Sequence, residues 1–126
     1  MISITIYGKV PSKSSGRQII INRRTGRPMV ISSQETRQYE KDFAAQVTGA
    51  HRFHAYPAGT RLNVVIVWYT DSYRQDIDAP AKAIFDNLQK AAVIENDNKI
   101  DDYHIIRFID KDNPRAEIFI KEHGKW

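Results

Sequence analysis

Alternating hydrophobic and polar residues at the N-terminus predict a half-buried β-strand. Isoleucine stands at every second position of residues 2–6, which is the period-2 pattern of a strand with one face in the core. Residues 18–21 and 28–31 then read as two short strands joined by a polar turn at residues 22–27. This second stretch fits a hairpin or a flexible loop equally well.

A four-residue apolar repeat over residues 39–47 predicts a first helix at about residues 33–48. Ser32 and Glu35 form a capping-box pattern at its start, and Gly49 ends it.

A second apolar stripe predicts a helix at about residues 79–92, with Asp78 suited to cap its N-terminus. On a wheel of 100° per residue the stripe contains five residues, Ala81, Ile84, Phe85, Leu88 and Ala92.

Three further segments have the composition of strands. Residues 62–69 are nearly all apolar and β-branched, which predicts a central strand covered on both faces. Residues 104–109 and 116–120 read as strands, and the turn residues 111–114 between them predict a hairpin. The order β, ββ, α, β, α, ββ predicts a single α+β (mixed α/β) domain over residues 1–126, with a mixed sheet, a basic N-terminal hairpin and two main helices.

The composition excludes several kinds of site. A chain of 126 residues fits one domain with its own core. The absence of cysteine rules out disulfides, thiolate metal sites and cysteine nucleophiles. No apolar run reaches the roughly 18 residues of a membrane span, and the N-terminus lacks the pattern of a secretory leader. We therefore expect a cytoplasmic protein.

Charge is segregated along the chain, whose net charge is +4. Residues 1–34 carry six basic residues and no acidic one, whereas residues 71–102 carry eight acidic residues and four basic ones. A basic arm suits phosphate groups and an acidic segment suits a cation. Two ordinary solvated surfaces of opposite sign explain the segregation equally well.

Two aspartates after the apolar strand carry the clearest chemical signal. Asp76 and Asp78 would point the same way in an extended segment, because side chains repeat every two residues. Their repulsion is relieved by a proton or by a cation. Carboxylates without nearby cysteine or histidine suit Mg²⁺ or Mn²⁺, which phosphodiester hydrolysis uses. Alternatively, one aspartate caps the helix and the other is solvated.

Lys82 follows Asp78 by four residues and therefore lies on the same helix face. Its ammonium group is suited to pair with a scissile phosphate or to stabilise charge in a transition state. Asp86 continues this face, and a plain ion pair with Lys82 or Lys90 is an alternative role for it. Asp97 offers a third carboxylate after the helix.

This spacing resembles the RusA family of Holliday junction resolvases. In that family an Asp-x-Asp pair precedes a helix, as Asp76 and Asp78 do here, and a lysine follows by four residues, as Lys82 does. A third aspartate stands fifteen residues after the lysine, which is the position of Asp97. Weaker similarity extends in order over nearly the whole chain, while residues 74–104 carry the specific part.

The resemblance implies a homodimer that binds branched DNA, a four-way junction, and nicks paired strands in DNA recombination and repair. It implies Mg²⁺ as cofactor, with Mn²⁺ possible, and such proteins are often carried by phages and prophages. By position, Asp76, Asp78 and Asp97 would be catalytic metal ligands and Lys82 a catalytic cation. A catalytically silent nucleic-acid-binding module and a protein-interaction domain are the competing hypotheses.

DNA contact is expected of the basic N-terminal region. Arginine donates two bonds from a planar fork and therefore suits phosphate, and the family's turn places a basic residue at Lys13. The expected DNA-binding residues are Lys13, Arg17, Arg23, Arg24 and Arg27.

The chain departs from the family pattern at three places. Ala79-Pro80 replaces the common Asn-Leu after the second aspartate, Asn96 replaces an aspartate before the third, and Gln75 replaces a basic residue before the first. The proline fits an early helical position, where its missing N–H is harmless.

Overall fold

The computed structural model describes residues 1–11, 17–47 and 56–124, with side chains at all of these except Arg17, Gln18 and Ser32. Lys13 and Gly49 lie outside the described residues.

The order of the elements is the one that the sequence predicts. In chain order they are β1 (Ile2–Tyr7), β2 (Arg17–Ile21), β3 (Pro28–Ser32), α1 (Gln34–Gln46), β4 (Leu62–Thr70), α2 (Ala79–Lys90), β5 (Ile100–Ile109) and β6 (Arg115–Glu122). A short 3₁₀ turn at Asp97–Lys99 comes directly before β5.

A mixed four-stranded sheet in the order β1-β6-β4-β5 forms the centre of the fold. Strand β6 pairs antiparallel with both β1 and β4, whereas β4 and β5 run parallel. The connection between the two parallel strands contains α2, as a parallel crossover requires. The single α+β domain with a mixed sheet is therefore confirmed.

The predicted hairpin of β5 and β6 is wrong. Strand β4 lies between them and pairs with both, so their turn at residues 110–114 joins strands that are not neighbours. The long apolar β4 takes the central position, where neighbours on both sides satisfy its backbone groups.

The expectation that β4 is covered on both faces is also wrong. Val64, Ile66 and Trp68 are buried, but Val65 and Val67 between them are only half-buried. The two helices pack on the first face, together with the buried isoleucines of β1 and β6. The β-branched run therefore marks a central strand without implying a second covering layer.

Helix α1 begins one residue later than the capping box predicts. Ser33, not Ser32, is the N-cap, and its side chain accepts a hydrogen bond from the Thr36 backbone N–H. That bond satisfies one of the otherwise unpaired N–H groups at the start of the helix. The apolar repeat is confirmed, since Tyr39 and Phe43 are buried in the core.

Strands β2 and β3 form a separate two-stranded sheet, which settles the hairpin alternative. Its turn is hydrogen bonded, since the N–H of Asn22 donates to the Arg27 carbonyl at 2.8 Å and the N–H of Gly26 donates to the Asn22 carbonyl at 2.7 Å. Gly26 has a positive φ of 70°, which glycine adopts without steric cost.

None of the helices in the described part of the chain is long and apolar enough to cross a membrane.

Replacing Phe43 with alanine should lower the free energy of unfolding by about 3–5 kcal/mol, because the ring is fully buried and its loss leaves a cavity. Urea denaturation measures the effect. The matched control is Phe108→Ala, since this ring is 49% exposed and should cost only about 1 kcal/mol. Equal losses from the two substitutions would contradict this assignment of the core.

Candidate functional site

Asp76 and Asp78 lie in the loop from β4 to α2. This loop follows the carboxyl end of β4, where parallel β5 also ends. In open sheets with parallel strands, ligands bind beyond the carboxyl ends of the strands. Both aspartates are exposed there. The loop therefore presents two carboxylates to solvent at the edge of the sheet where ligand sites are common.

The extended conformation expected for Asp76 and Asp78 is wrong. The Ala79 N–H donates to the Asp76 carbonyl at 3.0 Å, which closes a turn, and Asp78 itself has helical angles of φ −85° and ψ −4°. In helical backbone, residues two apart do not face each other. The period-two argument for aligned side chains therefore does not apply to this segment.

Asp78 occupies the N-cap position of α2 without capping it, which corrects the expected capping role. Its side chain makes no capping hydrogen bond. Pro80 in the first turn has no N–H to satisfy, as its place in the sequence suggests. The side chain of Asp78 therefore contributes no capping hydrogen bond to α2.

Lys82 projects from the first turns of α2, with its side chain 79% exposed. Its Nζ lies 3.7 Å from Oδ2 of Asp86, one of the two ion-pair partners considered for Asp86. Lys90 pairs instead with Glu40 at 3.1 Å. Exposed pairs of this kind stabilise little, so the Lys82 ammonium is readily available to another anion.

Asp97 is exposed at the start of the 3₁₀ turn, and three side chains hold this turn in place. Gln89 at the end of α2 accepts from the Asp97 N–H at 3.1 Å. Asn96 caps the turn by accepting from the Asn98 N–H at 3.0 Å. Arg61 donates to the Asn98 carbonyl at 2.7 Å. An aspartate at residue 96 would offer the same acceptor oxygen, so this departure from the family pattern keeps the cap.

Within one chain, Asp97 lies at the far end of α2 from Asp78. Asp97 contacts Gln89, eleven residues along the helix from Asp78, and an α-helix rises about 16 Å over that length. The strands give the same result, because Asp97 precedes the start of β5 and Asp76 follows the end of parallel β4. One chain therefore does not bring the three predicted ligands into one cluster.

The donors match a hard divalent cation in chemistry, since carboxylate oxygens are the ligands that Mg²⁺ prefers. Their arrangement in a single chain is incomplete. Across residues 1–11, 17–47 and 56–124, no three acidic or imidazole side chains lie close enough to hold a metal ion. Asp76 and Asp78 alone would supply two carboxylates, fewer than the three expected.

The basic hairpin presents three of its predicted DNA-binding residues to solvent. Arg23, Arg24 and Arg27 lie in the β2–β3 turn, and all three are exposed. The Arg24 N–H donates to the Asn22 side chain, and the Arg27 N–H donates to the Thr25 hydroxyl. Arg17 begins β2, but its side chain is not described, and Lys13 is outside the described residues.

Sequence reasoning missed Arg61 and Arg107, which contact the segments that carry Asp97 and Asp76 respectively. Arg61 precedes β4 and pairs with Asp101, so the guanidinium holds the pKa of the Asp101 carboxyl below its usual range. Arg107 in β5 donates to the Gln75 carbonyl at 2.6 Å, one residue before Asp76. The available signal was a lone arginine within the apolar run of β5.

The loop that carries Asp76 and Asp78, residues 71–78, is called the aspartate loop below. Its start is bonded to the N-terminal region. Lys9 pairs with Asp71 at 3.0 Å, and its hydrogen bond lowers the pKa of the Asp71 carboxyl. The Asp110 N–H donates to the Thr70 carbonyl at 2.9 Å, where β4 ends. The aspartate loop therefore begins from a well-held point.

The family model described as Endodeoxyribonuclease RusA matches residues 9–121, which is nearly the whole chain. No curated protein matches the chain.

Proposed function

The chain belongs to the RusA family of endodeoxyribonucleases, and on this premise we propose that it resolves four-way DNA junctions by paired, divalent-metal-dependent nicks in recombination and repair. The observation that carries the proposal is the family match together with the exposed Asp76 and Asp78 at the carboxyl end of the parallel strands. Neither aspartate is buried in the core.

Each group near this loop has a role that its chemistry supports. Asp76 and Asp78 would hold Mg²⁺ or Mn²⁺, together with Asp97, and such an ion supplies an activated water and charge neutralisation at the phosphoryl group. Lys82 would stabilise negative charge that develops on the phosphate, because its ammonium is exposed on the same helix.

The β2–β3 hairpin would bind the DNA backbone. Arg23, Arg24 and Arg27 are exposed on a hydrogen-bonded turn, and no acidic side chain of the described residues forms an ion pair with them. Each phosphate that they neutralise releases counterions, so junction affinity should fall steeply as salt rises. Lys13 and Arg17 would extend this basic surface along the arm.

A homodimer fits both the substrate and the separation of the aspartates. A four-way junction offers two symmetry-related scissile strands, which suit a two-fold protein. A second copy would also let Asp97 of one chain approach Asp76 and Asp78 of the other, which the length of α2 prevents within one chain. Exposed apolar side chains on the hairpin, Ile19, Ile21 and Val30, are consistent with a further contact surface.

A cleavage assay on synthetic DNA tests this proposal. The substrates are a labelled four-way junction and a linear duplex of matching sequence, each incubated with Mg²⁺, Mn²⁺ or EDTA. We expect symmetric nicks in the junction with either metal and none with EDTA. Metal-dependent cutting of the duplex as well would retain the nuclease and remove junction selectivity.

The competing hypotheses give other results in the same assay. A catalytically silent binding module would bind the junction without cutting it under any metal. A protein-interaction domain would show neither binding nor cutting.

Sedimentation with and without junction DNA tests the dimer, and a monomer under both conditions at micromolar concentration would overturn it.

A further inference from the structure

Arg107 contacts the aspartate loop from the neighbouring strand. Its guanidinium donates to the Gln75 carbonyl at 2.6 Å, and its Cζ lies 5.2 Å from the centre of the Tyr73 ring. The same group lies 5.6 Å from the ring of buried Trp68, its cross-strand neighbour on β4. Arg107 therefore joins the end of the sheet to two residues of the loop that carries Asp76.

The contact with Gln75 lies directly beside Asp76 in the chain. Gln75 directly precedes Asp76, so fixing the Gln75 carbonyl restricts the backbone that orients the Asp76 carboxylate. Asp76 then begins the turn that the hydrogen bond from the Ala79 N–H closes. A hydrogen bond from a charged donor is stronger than one between neutral groups, so it resists opening of the loop at this point.

We propose that Arg107 is a positioning residue, which holds the loop of Asp76 and Asp78 in the geometry that binds metal. This inference rests on the proposed function, since it assigns these aspartates to the metal. Arg107 is half-buried and its guanidinium is occupied by protein groups, so its action is through Asp76 and not through DNA.

Arg115 provides a matched comparison within the same sheet. It also packs on a ring, that of Tyr69 at 3.7 Å, and it pairs with Asp110 at 2.9 Å. Its guanidinium also donates to the backbone carbonyl of Asn113, in the turn before β6. Asn113 is distant in sequence from the aspartate loop. Loss of Arg115 therefore removes similar interactions from the sheet without releasing Gln75.

The experiment compares Arg107→Met, Arg107→Lys and Arg115→Met with the unchanged protein. Junction cleavage is measured over a series of DNA and Mn²⁺ concentrations, which separates kcat, the KM for the junction and the Mn²⁺ concentration at half-maximal rate. Hydrogen–deuterium exchange of residues 72–79 is measured without metal or DNA, so that this readout does not depend on activity.

For Arg107→Met we expect kcat to fall by about 10- to 100-fold and half-saturation by Mn²⁺ to need about tenfold more metal, as for other residues that orient metal ligands. The KM for the junction should change by less than about twofold, since uniform substrate binding is unaffected. Amides of residues 72–79 should exchange faster. Arg107→Lys should recover part of each effect, because lysine still offers a charged donor.

Two results would overturn the proposal. One is a raised KM with unchanged kcat, which would make Arg107 a DNA contact. The other is an equal loss in Arg115→Met, which would make the effect one of general stability. If the unchanged protein does not cut DNA, the proposed function fails, whereas faster exchange in Arg107→Met alone would still support the role of Arg107 in holding the loop.

Discussion

Replacing Asp78 with asparagine should lower the rate of junction cleavage by roughly 10³-fold. Metal ions supply several kcal/mol of charge stabilisation in a transition state, and about 1.4 kcal/mol corresponds to a factor of ten in rate. Asparagine keeps the size of the side chain and removes the negative charge that attracts the metal. Because Asp78 is exposed and asparagine has nearly the same size, the fold should tolerate the change. Labelled junction cleavage in Mg²⁺ and Mn²⁺ measures the effect.

Measuring junction binding distinguishes a loss of catalysis from a general loss of structure or of DNA binding. Asp78→Asn should bind the junction in EDTA at least as tightly as the unchanged protein, because it removes one repulsive charge near the phosphates. Asp42→Asn makes the same chemical change at an exposed position of α1, where Asp42 accepts a hydrogen bond from Gln38 at the surface. Cleavage by Asp42→Asn should be unchanged. Full activity in Asp78→Asn would contradict the proposed role of this residue in holding the metal.

Mixing two inactive variants should restore cleavage, if the site is shared between two chains. Asp78→Asn and Asp97→Asn are each expected to be inactive as homodimers. In a heterodimer, one site would pair the intact Asp78 of one chain with the intact Asp97 of the other. Purified heterodimers should then nick one strand of the junction at about half the total rate of the unchanged dimer, without the paired second nick.

The control for this mixture pairs Asp76→Asn with Asp78→Asn. Both substitutions fall in the same loop, so every site of that heterodimer contains one defective ligand and cleavage should stay absent. Differently tagged chains allow heterodimers to be isolated and their composition verified by mass spectrometry. Verified heterodimers of Asp78→Asn and Asp97→Asn that remain inactive would contradict a shared site.

The local elements of this fold could be read directly from the sequence. The alternating isoleucines of β1 and the four-residue repeat of α1 each depend on one face being buried, and the structure buries those faces. Strand partners could not be read in the same way. Residues 111–114 predicted a hairpin because turn residues join two apolar runs, whereas β4 lies between β5 and β6.

For the candidate site, too, some features could be read from the sequence and others could not. The spacing of Asp76, Asp78, Lys82 and Asp97 was visible in the chain, as was its resemblance to one nuclease family. The spacing did not reveal that α2 separates Asp97 from the other two aspartates. Nor did it reveal the turn at Asp76, since a period of two describes only extended backbone.

By itself, the sequence determined which residues are candidates for the chemistry and which segments form helices and strands, because both depend on residue type and on spacing over a few positions. Tertiary structure decided what lies beside what: β4 at the centre of the sheet, Arg107 against the aspartate loop and Asp97 at the far end of α2. These placements depend on contacts between distant parts of the chain, whose formation is governed by burial and by backbone pairing across the whole sheet and not by any local pattern.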